Sequence, residues 1–249
     1  HNSSYTNPNG TFTFDSVDFA GGTGVDSEGI NQYLDDGDAS IVVNVINGST
    51  FAGVESFAVG TGASSGTVTT NITNSNFGTP LANGLSAIVL GGNGTSNVAF
   101  NVSNNTFTNY SDGNGSVIYV NLDESANART QTNTINDNTL IEDGSPNSSG
   151  IFIVLFDTSG LRLEVDANTI SGITGNAFTI EGNPFWTSGE IDIVVTNNSF
   201  SSSALGNIVL MESRGSSATS MQILWDDNDV TANNAIFSTA NVEAVGGRI

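Results

Sequence analysis

Apolar and polar residues alternate along this chain in short runs, and one arrangement keeps returning. An apolar residue is followed by a polar stretch rich in Asn and then by a large apolar anchor. It reads Val102-Ser103-Asn104-Asn105-Thr106-Phe107, and it returns at Ile135 to Leu140, Val165 to Ile170, Val195 to Phe200 and Trp225 to Val230. Weaker copies lie upstream at Ile46 to Phe51 and Ile72 to Phe77, with a first copy at Phe14 to Phe19. The anchors are Phe19, Phe51, Phe77, Phe107, Leu140, Ile170, Phe200 and Val230, separated by 32, 26, 30, 33, 30, 30 and 30 residues. A sustained period of this length marks a solenoid, because unrelated strands of a sandwich have no reason to keep it.

The segment leading into each anchor alternates with period two, as in Val98-Ala99-Phe100-Asn101-Val102 and Ile191-Asp192-Ile193-Val194-Val195. That is the signature of a strand with one buried face. A second strand is expected further on in each copy: Ile30 to Leu34, Leu85 to Leu90, Val117 to Leu122, Ile151 to Phe156, Ala177 to Ile180 and Ile208 to Met211. Loops rich in Gly, Ser and Asn join the copies. No copy can bury its apolar face alone, so the copies must stack, each strand pairing in parallel with its equivalents in adjacent coils. The pattern predicts an all-β fold, a right-handed parallel β-helix of about eight coils, in a single domain spanning residues 1–249. The hand follows from the strong right-handed preference of parallel crossovers. About eight coils at about 4.8 Å each make a rod of about 40 Å.

Stacking gives the recurring asparagines a role. Asn105, Asn138, Asn168, Asn198 and Asn228 each sit two residues before an anchor. Superposed, they form a ladder in which every amide meets its donors and acceptors along the rod. With these motifs the chain resembles the right-handed parallel β-helix repeat proteins, in particular bacterial secreted and surface types of adhesin or fibre character. The resemblance covers nearly the whole chain and implies the fold. It leaves function open, because the same solenoid carries lyases, hydrolases, adhesins and phage spikes.

Charge narrows the partners. Asp and Glu number 25 against four basic residues, all arginine, for a net charge of −21. Four scattered arginines cannot neutralise a phosphate backbone, so nucleic acid and anionic membrane are poor partners. No apolar run reaches the length that spans a bilayer. Charged residues are only 12% of the chain and Cys is absent, so the surface is largely Asn, Ser, Thr and Gly. Together these features suggest an extracellular or cell-surface location. His1 is the only histidine, which leaves no Ser/His/Asp set and no His-dependent hydrolase pattern. Lys is absent, and no Arg lies beside an Asp cluster in the repeat register apart from Arg162 near Glu164, so no lyase-like base is recognisable and no catalytic residue is assigned.

Three other features carry candidate chemistry. Asp35, Asp36 and Asp38, and Asp227 with Asp229, are candidate ligands for weak calcium binding, although neither group completes a known calcium loop. No other cofactor is implied. Phe185 and Trp186, in Asn183-Pro184-Phe185-Trp186, are candidate glycan contacts or else a cover for the core. The segments Thr11 to Phe14 and Asn241 to Ile249 look like strand or coil starts without a capping helix. Two readings follow: one module of a longer solenoid, or a subunit that self-associates through its ends. The expected function is an extracellular structural or adhesive module of a surface fibre, not an enzyme. The alternative is a carbohydrate-binding or polysaccharide-degrading β-helix.

Overall fold

In the computed structural model the chain is a parallel β-solenoid. The structure describes residues 2–5, 9–20, 29–34, 40–52, 57–62, 65–78, 86–109, 115–142, 149–202, 209–214, 219–231, 236–237 and 242–244. Strands recur in triplets that feed three parallel sheets of nine, nine and eight strands among these residues. The first sheet holds the alternating segments, among them Asn97–Ser103, Asn127–Asn136, Gly160–Asp166, Gly189–Thr196 and Thr219–Asp226. The second holds the short anchor strands, such as Thr106–Thr108 and Thr139–Ile141. The third holds the return strands, including Ile30–Leu34, Ser116–Leu122, Ser149–Asp157, Phe178–Trp186 and Val209–Ser213.

Three sheets per coil, where the sequence suggested two, follow from the backbone at the Asn motif. The residue before each ladder Asn is left-handed: φ is 57° at Asn104, 56° at Asp137, 54° at Ala167, 55° at Asn197 and 49° at Asp227. Asn and Asp tolerate that region better than other residues with a Cβ, which explains their use at four of the five. A left-handed residue cannot continue a strand. The chain therefore turns a corner there, and the anchor begins a strand of its own.

The anchors lie directly above one another. Phe19, Phe51, Phe77 and Phe107 pair in register, as do Phe107, Leu140, Ile170, Phe200 and Val230. The four upstream rings stack with centroids 4.7, 4.7 and 4.8 Å apart, which is the strand spacing of a sheet. Anchors from Phe51 to Phe200 are buried, while Phe19 and Val230, on the two edge strands of the anchor sheet, are only partly so.

The asparagine ladder is formed and has a direction. In each of Asn105, Asn138, Asn168 and Asn198, the backbone N–H and the side-chain Nδ2 both donate to the Oδ1 of the next asparagine, at 2.8–3.0 Å. Each Nδ2 also donates to a first-sheet carbonyl of the preceding coil: Ile72, Val102, Ile135 and Val165 in turn. Upstream the rung becomes Ser75, whose N–H donates to Asn105 Oδ1, then Ser49, whose Oγ accepts from the N–H of Val17. Val17 offers no side-chain oxygen, so the ladder ends there.

Candidate functional site

The outward face of the first sheet changes character along the rod. In the upstream coils one row reads Thr13, Asn44, Asn71, Asn101 and Thr134, partly zipped by Asn44 to Thr13, Asn71 to Asn44 and Thr134 to Asn101 hydrogen bonds. The same row continues as Glu164, Val194 and Leu224, and the row beside it as Arg162, Asp192 and Gln222. Strand alternation places both rows on one face. Together they floor an open groove of about 610 Å³. Val194 and Leu224 are 37% and 38% exposed there, flanked by charged neighbours.

An insertion walls the groove on one side. Ala128 pairs with Leu161 and Asn133 with Leu163, so residues 129–132 stand opposite Arg162 alone. The three extra residues explain why Phe107 and Leu140 are 33 apart when the later anchors are 30 apart. Such a bulge strips backbone groups of their ladder partners, and the buried Asn133 side chain replaces them. Its Oδ1 accepts from Phe100 N–H at 2.8 Å, and its Nδ2 donates to the carbonyls of Ala128 at 2.6 Å and Arg162 at 3.0 Å. Asn133→Ala is expected to cost about 2 kcal/mol, the cost of orphaned buried backbone groups. Urea denaturation would show this as a lowered midpoint at unchanged slope.

The bulge also launches Arg129 across the neighbouring coil. Its stem crosses Gly160, where an added Cβ would sit 2.9 Å from Arg129 Cδ. Its guanidinium reaches Glu190 and, at 2.9 Å, Asp192 Oδ2, sixty-three residues further on. Arg162 approaches the same Asp192 oxygen at 3.5 Å. Burial on its own would lower the Arg129 pKa, but hydrogen bonds and charge from Asp192, with Glu190 adding to them, raise it overall. Arg129 Nε is buried and has no acceptor among the described residues.

Two of the three groove carboxylates are therefore committed to arginine, and Glu164 carries no ion pair among the described residues. A glycosidase needs two carboxylates free for acid and base or nucleophile work. This groove offers a fixed array of donors and acceptors beside aliphatic surface. The convergence of Arg129 and Arg162 on Asp192 was invisible in the repeat register, where only Arg162 and Glu164 stood out.

The other candidates are placed as follows. Trp186 is fully buried, with its indole N–H donating to the Ser159 carbonyl at 3.0 Å. Trp186 therefore covers the core, the second of the two readings of this pair, while Phe185 is 70% exposed. The reason is local. Residues 183–185 stand opposite Phe156 alone, so the extra length bulges outward and returns the chain at Trp186 to the interior. Asp227 and Asp229 are exposed on either side of Asn228, whereas Asp35, Asp36 and Asp38 lie outside the described residues. Among the described residues no group of three or more His, Cys, Asp or Glu side chains could hold a metal. Arg214 pairs with Glu181 and Glu212 on the outer face of the third sheet. Nearby, burial and then the charge of Glu181 raise the Tyr119 pKa. That sheet also carries a smaller depression of about 200 Å³, edged by the half-exposed Tyr33 ring and paved by Gly60 and Gly91.

Fold and groove together define a parallel β-solenoid with an asparagine ladder inside and a mixed-charge groove outside. No family model, curated protein or solved structure was found to match the chain. Among the described residues no helix is long and apolar enough to cross a membrane.

Proposed function

We propose that this chain is an extracellular structural module with an adhesive role, part of a surface fibre, whose solenoid ends associate head to tail. The observation that carries the reading is the apolar column reaching both edge strands of the anchor sheet among the described residues. Phe12, Phe14 and Phe19 at one end and Val230 at the other pack against the core yet stay partly exposed. The strands Asn9–Asp15 and Asp229–Thr231 each pair on one side only among the described residues. Unpaired edges over apolar surface are templates for a further strand, and a heterologous joint that does not close grows a filament. Such a joint would be made by sheet edges and apolar side chains, since Val17 gives the ladder no acceptor with which to cross it. Extracellular placement is supported by the composition, with no Lys, no Cys and few charges.

Negative-stain electron microscopy and sedimentation of the purified protein, with and without a calcium chelator, test this. Rods of uniform width, many times the roughly 40 Å that eight coils span, are expected. Compact particles of one subunit at every concentration, in either condition, would overturn the end-to-end reading. The carbohydrate-binding reading gains support from the groove, whose committed carboxylates suit binding better than turnover.

A further inference from the structure

We infer that the first-sheet groove is a binding site for a neutral glycan chain running along the rod axis. This names the ligand of the adhesive reading and rests on it. Three properties of the groove select that chemistry. The first is the floor, where the aliphatic faces of Val194 and Leu224 lie open in one row beside the polar row of Arg162, Asp192 and Gln222. A pyranose presents the same combination, an apolar C–H face edged by hydroxyls that both donate and accept.

The second is charge. Arginine and carboxylate already neutralise each other at Asp192, and the chain as a whole carries −21. A polyanion is therefore repelled at long range and finds its arginine forks occupied at short range. What is left to bind with is hydrogen-bonding capacity: the Gln222 amide, the Glu164 carboxylate and the Thr132 hydroxyl on the wall. Sites built this way, apolar surface with a few fixed polar groups, bind and orient small polar ligands.

The third is direction. The groove lies in register with the uncharged row Thr134, Asn101, Asn71, Asn44 and Thr13 of the preceding coils. A linear ligand leaving the groove at Glu164 meets amides and hydroxyls at one strand spacing per coil. An extended peptide would instead need an open sheet edge for its backbone, and this is a sheet face. Arg129 is a positioning residue, since it holds Glu190 and Asp192 in place across the intervening coil.

The test uses the monomeric fraction of the full chain, so that absence of rods and absence of glycan binding remain separate results. Neutral oligosaccharides of glucose, galactose, mannose and N-acetylglucosamine, with polygalacturonate and an acidic peptide library as comparators, are screened by glycan array and titrated by calorimetry. Binding of at least one neutral oligosaccharide is expected, weakened tenfold or more by Leu224→Asp and by Gln222→Ala. Ile141→Ser, exposed on the second sheet and away from this face, leaves affinity unchanged. Circular dichroism melts confirm that each variant is folded. Because Leu224 and Gln222 are exposed, a variant lost to misfolding is replaced by Val194→Ser, for which the same tenfold loss is expected. No binding to any neutral glycan at millimolar concentration, binding that these substitutions do not alter, or preferential capture of the polyanion or peptide would each overturn the inference.

Discussion

Trp186→Ala is expected to lower stability by about 5 kcal/mol, while its neighbour Phe185→Ala changes stability by less than about 0.5 kcal/mol. The two aromatics are adjacent in sequence and opposite in environment. Trp186 has no exposed surface, and its loss leaves a cavity the size of an indole together with a Ser159 carbonyl deprived of its donor. Two glycines make room for the ring. A Cβ at Gly182 would lie 2.3 Å from Trp186 Cε3. At Gly189, φ is +142°, and a Cβ there would lie 2.1 Å from the Ser159 oxygen and 2.7 Å from the indole nitrogen. The pocket is thus built around tryptophan and cannot collapse onto alanine without moving backbone on two coils, which places the cost at the upper end for aromatic truncation. Equilibrium urea denaturation followed by circular dichroism measures both variants. A Trp186→Ala protein with an unchanged midpoint would show that the indole is not part of the core.

In a solenoid a defect of this size need not be shared by the whole molecule. Coils contact mainly their neighbours, so a weakened coil lowers the local opening free energy there first. Hydrogen exchange in Trp186→Ala should therefore rise most in Ser149–Asp157 and Phe178–Trp186, the third-sheet strands it joins.

The distribution of what could be read in advance follows from the same neighbour logic. Anchor spacing exposes the fold because each coil repeats its inward-facing positions, and the interior of a stack tolerates little variation in size or polarity. Asn105 through Asn228 were legible for the same reason, since an amide buried at a corner must recur in the next coil to be satisfied. The corner itself was not legible, because an apolar and polar pattern records which face a residue takes and is silent on left-handed φ. Asn104 and Asn105 looked like two members of one motif, yet the first sets the turn and the second bonds inward.

The groove depends on departures from the repeat, which periodicity cannot describe. The spacing of 33 between Phe107 and Leu140 announced three extra residues without saying where they lie. Their position became clear only from the pairing of Ala128 and Asn133, and the reach of Arg129 depends on the missing side chain at Gly160. Trp186 was left open between two readings for a related reason. In Asn183-Pro184-Phe185-Trp186 the loop-like composition ends one residue before the aromatic does, and the signals that the indole is enclosed are Gly182 and Gly189 on either side.

Asn168→Ala, in the middle of the ladder, is expected to destabilise the chain by about 4 kcal/mol, against about 1 kcal/mol for Asn228→Ala at its end. Asn168 is buried and serves three coils at once. Its Oδ1 accepts from both Asn138 N–H and Asn138 Nδ2, at 3.0 and 2.9 Å. Its Nδ2 donates to Asn198 Oδ1, to the Ile135 carbonyl and to the Asp166 carbonyl, at 2.9, 2.7 and 3.1 Å. Alanine removes the acceptor of the Asn138 backbone N–H and of Asn138 Nδ2, together with every bond that Asn168 Nδ2 donates, in a buried corner where water does not reach. An orphaned buried N–H costs about 1–3 kcal/mol and each further lost bond about 1 kcal/mol, so together they outweigh any relief from burying a smaller, less polar side chain. Asn228 is only half-buried, and its Oδ1 serves one neighbour, Asn198; water can take over part of its role. Asn168→Ser is the informative intermediate, because Ser49 occupies the equivalent rung upstream and its hydroxyl accepts the Val17 N–H. It should recover part of the loss by accepting from Asn138 N–H while still lacking the amide that donates to Asn198 Oδ1 and the Ile135 carbonyl. Denaturation midpoints in the order wild type, Asn228→Ala, Asn168→Ser, Asn168→Ala are the expected result. Equal losses at Asn228 and Asn168 would mean that the amides act singly, each bonded to its own corner, and that no coupling runs along the column.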